Sequence, residues 1–200
     1  MKDIMARSKI KVAKNISVKE IVSILVLCLI IVVSGKIIST YVILTGYVPS
    51  SSMESTILPE DRILTNCTAY MNSNPQRGDI IVFYSPDDKA RGDDVQFVKR
   101  VIGLPGEIVK VRDGCIFIDD YKLEEPYLKV STDSGYGEYM VPSGHYFVLG
   151  DNRNMSRDSR FWDNTFVPAK DIIGKVFLKY RISLSTLKVE IVDSYNDYGI

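Results

Sequence analysis

The side chains that could carry chemistry in this chain are serines and lysines. One histidine and three cysteines in 200 residues are too few for a multi-histidine or cysteine-rich metal site, so the sequence predicts no metal and no other cofactor. No glycine-rich phosphate loop is present. His145 lies in a turn that enters an apolar run; a surface histidine is its usual explanation, although Ser-His-Asp chemistry stays formally open. A hydrolytic nucleophile would therefore need another base.

Lysine is the remaining candidate for that base. Only a neutral amine can take a proton from a serine hydroxyl, and burial lowers a lysine pKa from about 10.4 toward neutrality. Lys99 lies within the apolar run Gln96–Ile102. Because side chains alternate along a strand, Lys99 and Arg100 should point to opposite faces. The alternative is a Lys-Arg pair on an exposed edge strand.

The candidate nucleophile lies among three consecutive serines, Ser50 to Ser52. Small hydroxyl residues shortly after a long apolar segment commonly form a linker. Here they stand between Pro49 and the apolar positions Met53 and Ile57, which favours a fixed turn.

A third polar segment follows the apolar run Tyr146–Gly150. Residues 151–160 are dense in Asp, Asn, Arg and Ser, which is typical of a loop held by charge-assisted hydrogen bonds. A solvated surface loop is the alternative.

The elements that must position these segments are predicted to be strands. Short runs rich in Val, Ile, Phe and Tyr alternate with turn residues after residue 60, and Asp113-Gly114 indicates a two-residue hairpin. No helical period persists for twelve residues after the N-terminal apolar segment. We therefore predict a mostly β, partly barrel-like antiparallel domain on a single N-terminal transmembrane helix. The predicted strands are Arg62–Thr68, Asp79–Tyr84, Val95–Gly103, Glu107–Arg112, Cys115–Ile118, Tyr146–Gly150 and Gly174–Tyr180.

The N-terminal region indicates a membrane anchor. The apolar stretch Ile21–Leu44 contains one charge, Lys36, and exceeds the roughly 20 residues that a span requires; a cleaved secretory signal ending near Val33–Gly35 is the alternative. The sequence thus predicts a basic cytoplasmic tail (1–20), an anchor (21–44), an extracytoplasmic β domain (45–182) and a C-terminal segment without an assigned role (183–200). The lysines of the tail should hold the N-terminus in the cytoplasm.

Charge and cysteine content exclude some further classes. Residues after 42 carry 18 Lys and Arg against 23 Asp and Glu, so the domain is mildly acidic and no nucleic-acid partner is predicted. Cys67 and Cys115 could form one disulfide, but small apolar core positions are the favoured interpretation.

Taken together, the segments around Ser52, around Lys99 and after Gly150 resemble the type I signal peptidase family, the bacterial leader peptidases. Several motifs occur in the family's order over roughly residues 45–180, and the single anchor resembles the short form common in Gram-positive bacteria. Ser51 replaces a common glycine, and Asn154 and Met155 replace an Asp-Asn pair. The matching segments are Pro49–Met53 with Thr56-Ile57, Arg77–Phe83, Phe97–Glu107, and Gly150–Arg153 with Ser156, Asp158–Arg160 and Trp162.

The resemblance implies a role for each matching residue. Ser52 would be the nucleophile and Lys99 its general base, while the Ser50 hydroxyl and the Ser52 backbone N–H would form the oxyanion hole. Ser156 would orient the lysine amine. The supporting scaffold would comprise Asp151, Arg153 and an Asp158–Arg160 ion pair.

The resemblance also implies a substrate and a location. The enzyme would be a membrane-bound serine endopeptidase that removes signal peptides from secreted preproteins after small-x-small sequences, binding them as an added strand. Its partners would be those signal peptides and the lipid bilayer. Two alternatives are a self-cleaving repressor-type Ser-Lys protease and an inactive, tethered binding domain. Shallow substrate pockets would be lined by Val48, Pro49, Met53, Ile57, Phe97 and Val98.

Overall fold

The computed structural model describes residues 17–37, 42–129, 135–182 and 187–192. The chain divides into two compact units, Met1–Ile38 and Ser39–Ile200. The predicted basic tail up to residue 16 and most of the C-terminal segment lie outside the described residues.

The described part of the first unit is the helix α1 (Val18–Ile37). Ser17 and Glu20 form a capping box, with hydrogen bonds of 3.2 Å from Glu20 N to Ser17 Oγ and 2.7 Å from Ser17 N to Glu20 Oε2. The stretch Val18–Lys36 has a mean hydropathy of 2.4 and is long and apolar enough to cross a membrane. The helix begins three residues before the predicted anchor and ends seven residues before its end.

The second unit is built on a large antiparallel sheet. Its strands are β1 (Ile43–Tyr47), β2 (Arg62–Asn66), β3 (Ile80–Tyr84), β4 (Gln96–Gly103), β9 (His145–Leu149), β10 (Val167–Pro168), β11 (Ile172–Ile182) and β12 (Leu187–Ile191). The strand order is β1-β2-β11-β3-β4-β9-β10, and β12 pairs with the C-terminal half of β11. Ile43 and Leu44, placed in the anchor by the sequence prediction, belong to β1. The C-terminal segment, to which no structure was assigned, contributes β12.

A second, four-stranded sheet consists of β5 (Ile108–Arg112), β6 (Cys115–Ile118), β7 (Tyr121–Lys122) and β8 (Gly137–Met140), in the order β7-β6-β5-β8. The hairpin of β5 and β6 turns at Asp113 and Gly114, whose φ angles are both positive, at 50° and 71°, as a two-residue type I′ turn requires. The Asp113-Gly114 prediction is thereby confirmed.

Two short helical segments occur between the described strands of the second unit. Pro86–Arg91 form α2, with Ser85 as N-cap and Gly92 as a left-handed C-cap, and Ala169–Asp171 form a single 3-10 turn. A mostly β, antiparallel fold with one long apolar N-terminal helix is confirmed. Cys67 and Cys115 are free thiols of intermediate burial.

Among the described residues of the β domain, the buried apolar side chains form three clusters. One of them lies beneath the turn that carries the three serines and joins it to the large sheet. Its buried members are Val48, Met53, Ile57, Ile63, Ile80, Val82, Val176 and Val192, with Val98 packed against them.

Candidate active site

The serines lie in the turn between β1 and β2, and apolar side chains fix this turn from below. Met53 and Ile57 are 1% and 0% exposed, and a hydrogen bond of 2.8 Å from Ile57 N to the Met53 carbonyl oxygen closes a helical turn. Ser52 is half-buried. The predicted fixed turn is present because Met53 and Ile57 commit it to the core.

Lys99 meets Ser52 from β4. Lys99 pairs with Ile81 of β3 in the register of the large sheet, and only 4% of its surface is exposed. Its Nζ lies 2.6 Å from Ser52 Oγ. Burial lowers the pKa of the Lys99 amine to about 8, with Asp158 and Asp151 limiting the decrease. A neutral amine at this position can accept the Ser52 proton.

A second hydroxyl stands next to the candidate nucleophile. Ser50 Oγ lies 3.4 Å from Ser52 Oγ, and Ser50 is exposed. Its hydroxyl can donate to an oxygen atom bound close to Ser52.

The segment that follows β9 holds the serine turn through its backbone and through Asp151. Asn152 N donates to the Ser52 carbonyl oxygen over 3.0 Å, and Thr56 Oγ1 donates to Asp151 Oδ2 over 2.5 Å. Asp151 also accepts two hydrogen bonds from Arg100, of 2.8 and 2.6 Å, and both side chains of this pair are fully buried. Removing one partner of such a pair would leave an uncompensated buried charge.

The same segment is stiffened by the other predicted scaffold residues. Asp158 and Arg160 form a buried ion pair of 2.8 Å, and the second Asp158 oxygen accepts from Gly150 N over 3.0 Å. Arg160 Nη2 donates to the Arg153 carbonyl oxygen over 2.7 Å. The polar run therefore forms an ordered, internally bonded loop.

Ser156 lies beside the serine turn, and Gly150 separates the two. A Cβ atom added at Gly150 would lie 2.2 Å from Ser156 Oγ and 2.4 Å from the Ser52 carbonyl oxygen. Ser156 is 5% exposed, and its hydroxyl has no hydrogen-bond partner within the described part of the chain. The hydroxyl is therefore available to a nearby donor or acceptor, but it does not bond Lys99 in this conformation.

The residues predicted to line substrate pockets divide by burial. Met53, Ile57 and Val48 are core residues with at most 5% exposed surface. Phe97 and Val98 are half-buried on β4, and Pro49 is exposed. Val48, Met53 and Ile57 therefore pack beneath the surface, whereas Phe97, Val98 and Pro49 have surface that a ligand can reach.

Several residues that bond around the serine turn were given no role from the sequence: Arg100, Ser55, Glu125, Tyr127 and Lys179. Arg100 lies within an apolar strand, and a charge there signals a buried partner. The others gave no such signal, because Ser55 bonds the carbonyl of Tyr127, Lys179 bonds the carbonyl of Thr56 and Glu125 pairs with Arg153, all remote along the chain.

A serine hydroxyl within 2.6 Å of a buried lysine amine is the arrangement expected of one class of enzyme, the serine peptidases with a lysine base. Comparisons with known proteins then give the family. The profile of the family described as signal peptidase, peptidase S26, matches residues 18–181. The chain belongs to this family and is a serine peptidase of the type I signal peptidase group.

Several relatives carry the same description. A probable signal peptidase I-2 from Synechocystis sp. is 40% identical over 154 residues, covering 74% of this chain and 70% of the relative. Signal peptidase IB from Staphylococcus aureus is 30% identical over 178 residues, covering 80% and 87%. The crystal structure of a signal peptidase I from Enterococcus faecalis is 38% identical, with a TM-score of 0.42, covering 52% of this chain and 97% of that one.

Proposed function

We propose that this chain is a membrane-anchored endopeptidase that removes signal peptides from exported preproteins, with Ser52 as nucleophile and Lys99 as general base. The observation that carries the proposal is the 2.6 Å separation of Lys99 Nζ and Ser52 Oγ at a site where the lysine is 4% exposed. This separation lies within the reach that proton transfer requires.

The chemistry follows from these two side chains. Neutral Lys99 takes the hydroxyl proton as Ser52 Oγ attacks the scissile carbonyl carbon. The tetrahedral oxyanion accepts hydrogen bonds from the Ser52 backbone N–H and the Ser50 hydroxyl, each worth about 3 kcal/mol in such sites. The lysine then passes its proton to the leaving amine as the C–N bond breaks. A water molecule, deprotonated by the same amine, hydrolyses the acyl-enzyme and restores both groups.

The substrate would bind along the edge of β4. The pairing between β4 and β9 begins at Arg100, so in the described residues the edge of Gln96–Lys99 opposite β3 is not covered by β9. An extended peptide can add there as a strand, which would bring its carbonyl past Ser52. Phe97, Val98 and Pro49 would contact the small side chains of the substrate directly. The buried core residues beneath them would support this surface.

The anchor and tail support the proposed location. Residues 1–20 carry six Lys and Arg against two acidic residues, which favours a cytoplasmic N-terminus. α1 would span the bilayer, and the β domain would lie on the extracytoplasmic side. Protease added to intact cells should then digest the β domain; complete protection of it would indicate a cytoplasmic enzyme.

The proposal is tested by cleavage of a purified preprotein in detergent. Ser52→Ala and Lys99→Ala should each reduce the rate at least about a thousandfold, as loss of a nucleophile or its base does. Ser51→Ala is the matched control, because it removes a neighbouring hydroxyl from the same turn, and it should retain activity. Full activity of Ser52→Ala would refute the assignment.

A further inference from the structure

Ser55 has a backbone conformation that residues with side chains rarely adopt. Its φ is 99°, and it lies three residues after Ser52 in the same turn. Such a conformation persists only where surrounding structure holds it, whereas glycine adopts it readily. The turn of the proposed nucleophile therefore contains a strained residue that requires an external restraint.

The restraint on Ser55 comes from a remote segment. The Ser55 hydroxyl donates a hydrogen bond of 3.0 Å to the backbone carbonyl oxygen of Tyr127, 72 residues later in the chain. Tyr127 follows β7 and is 9% exposed. The bond thus joins the serine turn to the connection that leaves the smaller sheet.

Side chains from three parts of the chain fix the side chain of Tyr127, the residue whose carbonyl accepts this bond. The Tyr127 hydroxyl donates to Glu125 Oε1 over 2.5 Å, and the Arg100 guanidinium lies 3.9 Å from the centre of the Tyr127 ring. Glu125 accepts two hydrogen bonds from Arg153, one of them 3.0 Å long. Their side chains are 7% and 1% exposed, so this ion pair is screened little by solvent.

Thr56, the residue after Ser55, is held by Arg100 and Asp151. Thr56 bonds Asp151, and Arg100 Nη2 donates to Thr56 Oγ1 over 3.3 Å. Two successive residues of the turn are therefore fixed near Arg100, Ser55 through Tyr127 and Thr56 through Asp151. The Asp151 arm belongs to the predicted scaffold, whereas the Tyr127 arm has no assigned role.

We propose that Glu125 and Tyr127 form a clip that positions Ser52 for attack by holding the strained Ser55 through the Tyr127 carbonyl. The proposal rests on the proposed role of Ser52 as nucleophile. The clip residues are positioning residues, since they act through Ser55 and not on the substrate. Without the clip, Ser55 relaxes and displaces Ser52 Oγ relative to the Lys99 amine. The rate of the chemical step falls, while substrate binding along β4 is unchanged.

Two substitutions of Ser55 form a matched pair that tests the clip. Both remove the hydroxyl, but only glycine adopts the positive φ without strain. In cleavage of a signal-peptide-containing peptide by the full-length protein in detergent, Ser55→Ala should lower kcat about 10- to 100-fold, as a small displacement of a reacting group does. Ser55→Gly should retain kcat to within about threefold of the wild type, and KM should stay constant in both. Equal losses in the two variants would overturn the clip.

A double-mutant cycle supplies the second test. Tyr127→Phe removes the hydroxyl that donates to Glu125 Oε1 but keeps the buried Arg153–Glu125 ion pair, so no buried charge loses its partner, and it should lower kcat in the wild-type background. In the Ser55→Gly background it should have no further effect, because the glycine no longer depends on the clip. Additive losses would show that the Tyr127 hydroxyl acts only through general stability, and the clip would be wrong.

Ser52→Ala separates this proposal from the function on which it rests. If Ser52→Ala is inactive while Ser55→Ala and Ser55→Gly behave alike, only the clip fails. If Ser52→Ala cleaves as fast as the wild type, both the proposed function and the clip are wrong.

Discussion

Lys99 is a buried lysine, with only 4% of its surface exposed. Burial lowers its pKa from 10.5 to about 8, so the folded protein holds this proton less tightly than the unfolded chain does. Protonated Lys99 therefore reduces the stability of the fold. This cost is fully present below pH 8 and vanishes once the pH exceeds the unfolded value. The burial that suits Lys99 to act as a base therefore lowers the stability of the folded protein at neutral pH.

Lys99→Met should consequently stabilise the protein at pH 7 while abolishing its activity. The methionine removes the buried charge at similar length, and the free energy of unfolding should rise by about 1–3 kcal/mol, given about 1.4 kcal/mol per pKa unit and the lost hydrogen bond to Ser52. The gain should decrease between pH 8 and 10.5. Urea denaturation of both proteins at pH 7 and pH 11 measures it, and equal stability at pH 7 would contradict the buried, destabilising amine.

At the scale of elements, the close approach of the serine turn to the end of β9 organises the site. Gly150 lies at the contact, and a Cβ there would lie within 2.4 Å of both the Ser52 carbonyl oxygen and Ser156 Oγ. Real Cβ atoms do not approach other atoms so closely, so one of the two elements must move.

Gly150→Ala should therefore reduce preprotein cleavage about a hundredfold by displacing Ser52, although circular dichroism should report an unchanged β fold. Gly35→Ala in α1 is the matched control, because a Cβ at Gly35 meets nothing within 4 Å, and its cleavage rate should equal that of the wild type. Normal activity of Gly150→Ala would show that the contact is not needed.

The strands that could be predicted from the sequence are those with a clear apolar pattern and turn residues at both ends. The runs around Lys99 and around Asp113-Gly114 have both features. β1 was missed because Ile43 and Leu44 directly continue the apolar stretch of the anchor, and no composition change marks the boundary. β12 was missed because the apolar-polar alternation of Leu187–Ile191 is too short to predict a strand by itself, and the strand is identified only by its pairing with β11.

At the scale of the whole molecule, the candidate site is assembled from segments far apart in sequence. The Ser52 turn, β4 and the loop after β9 could each be recognised by local composition and by resemblance to a family. The pairing of Arg153 with Glu125, and of Ser55 with Tyr127, could not, because no local pattern encodes which distant carboxylate or carbonyl completes a buried hydrogen bond. The residues proposed to carry the chemistry could therefore be named from the sequence, whereas the contacts that position them required the fold.

The chain as a whole combines a basic tail, an apolar helix and a mildly acidic β domain. This order suits an enzyme whose substrates are themselves anchored by an apolar N-terminal segment. Retention at the bilayer would bring enzyme and signal peptide into the same thin layer and raise their effective concentration.

Formation of an acyl bond at Ser52 is the event on which the proposed function depends most directly. The full-length protein in detergent should be treated with an acylating lactam between pH 6 and 10, and the modified residue located by mass spectrometry of its peptides. We predict an adduct on Ser52 whose rate of formation rises with pH around a midpoint of about 8, as Lys99 loses its proton, and which is absent in Lys99→Met. An adduct on Ser51, or undiminished labelling of Lys99→Met, would contradict the Ser52–Lys99 mechanism.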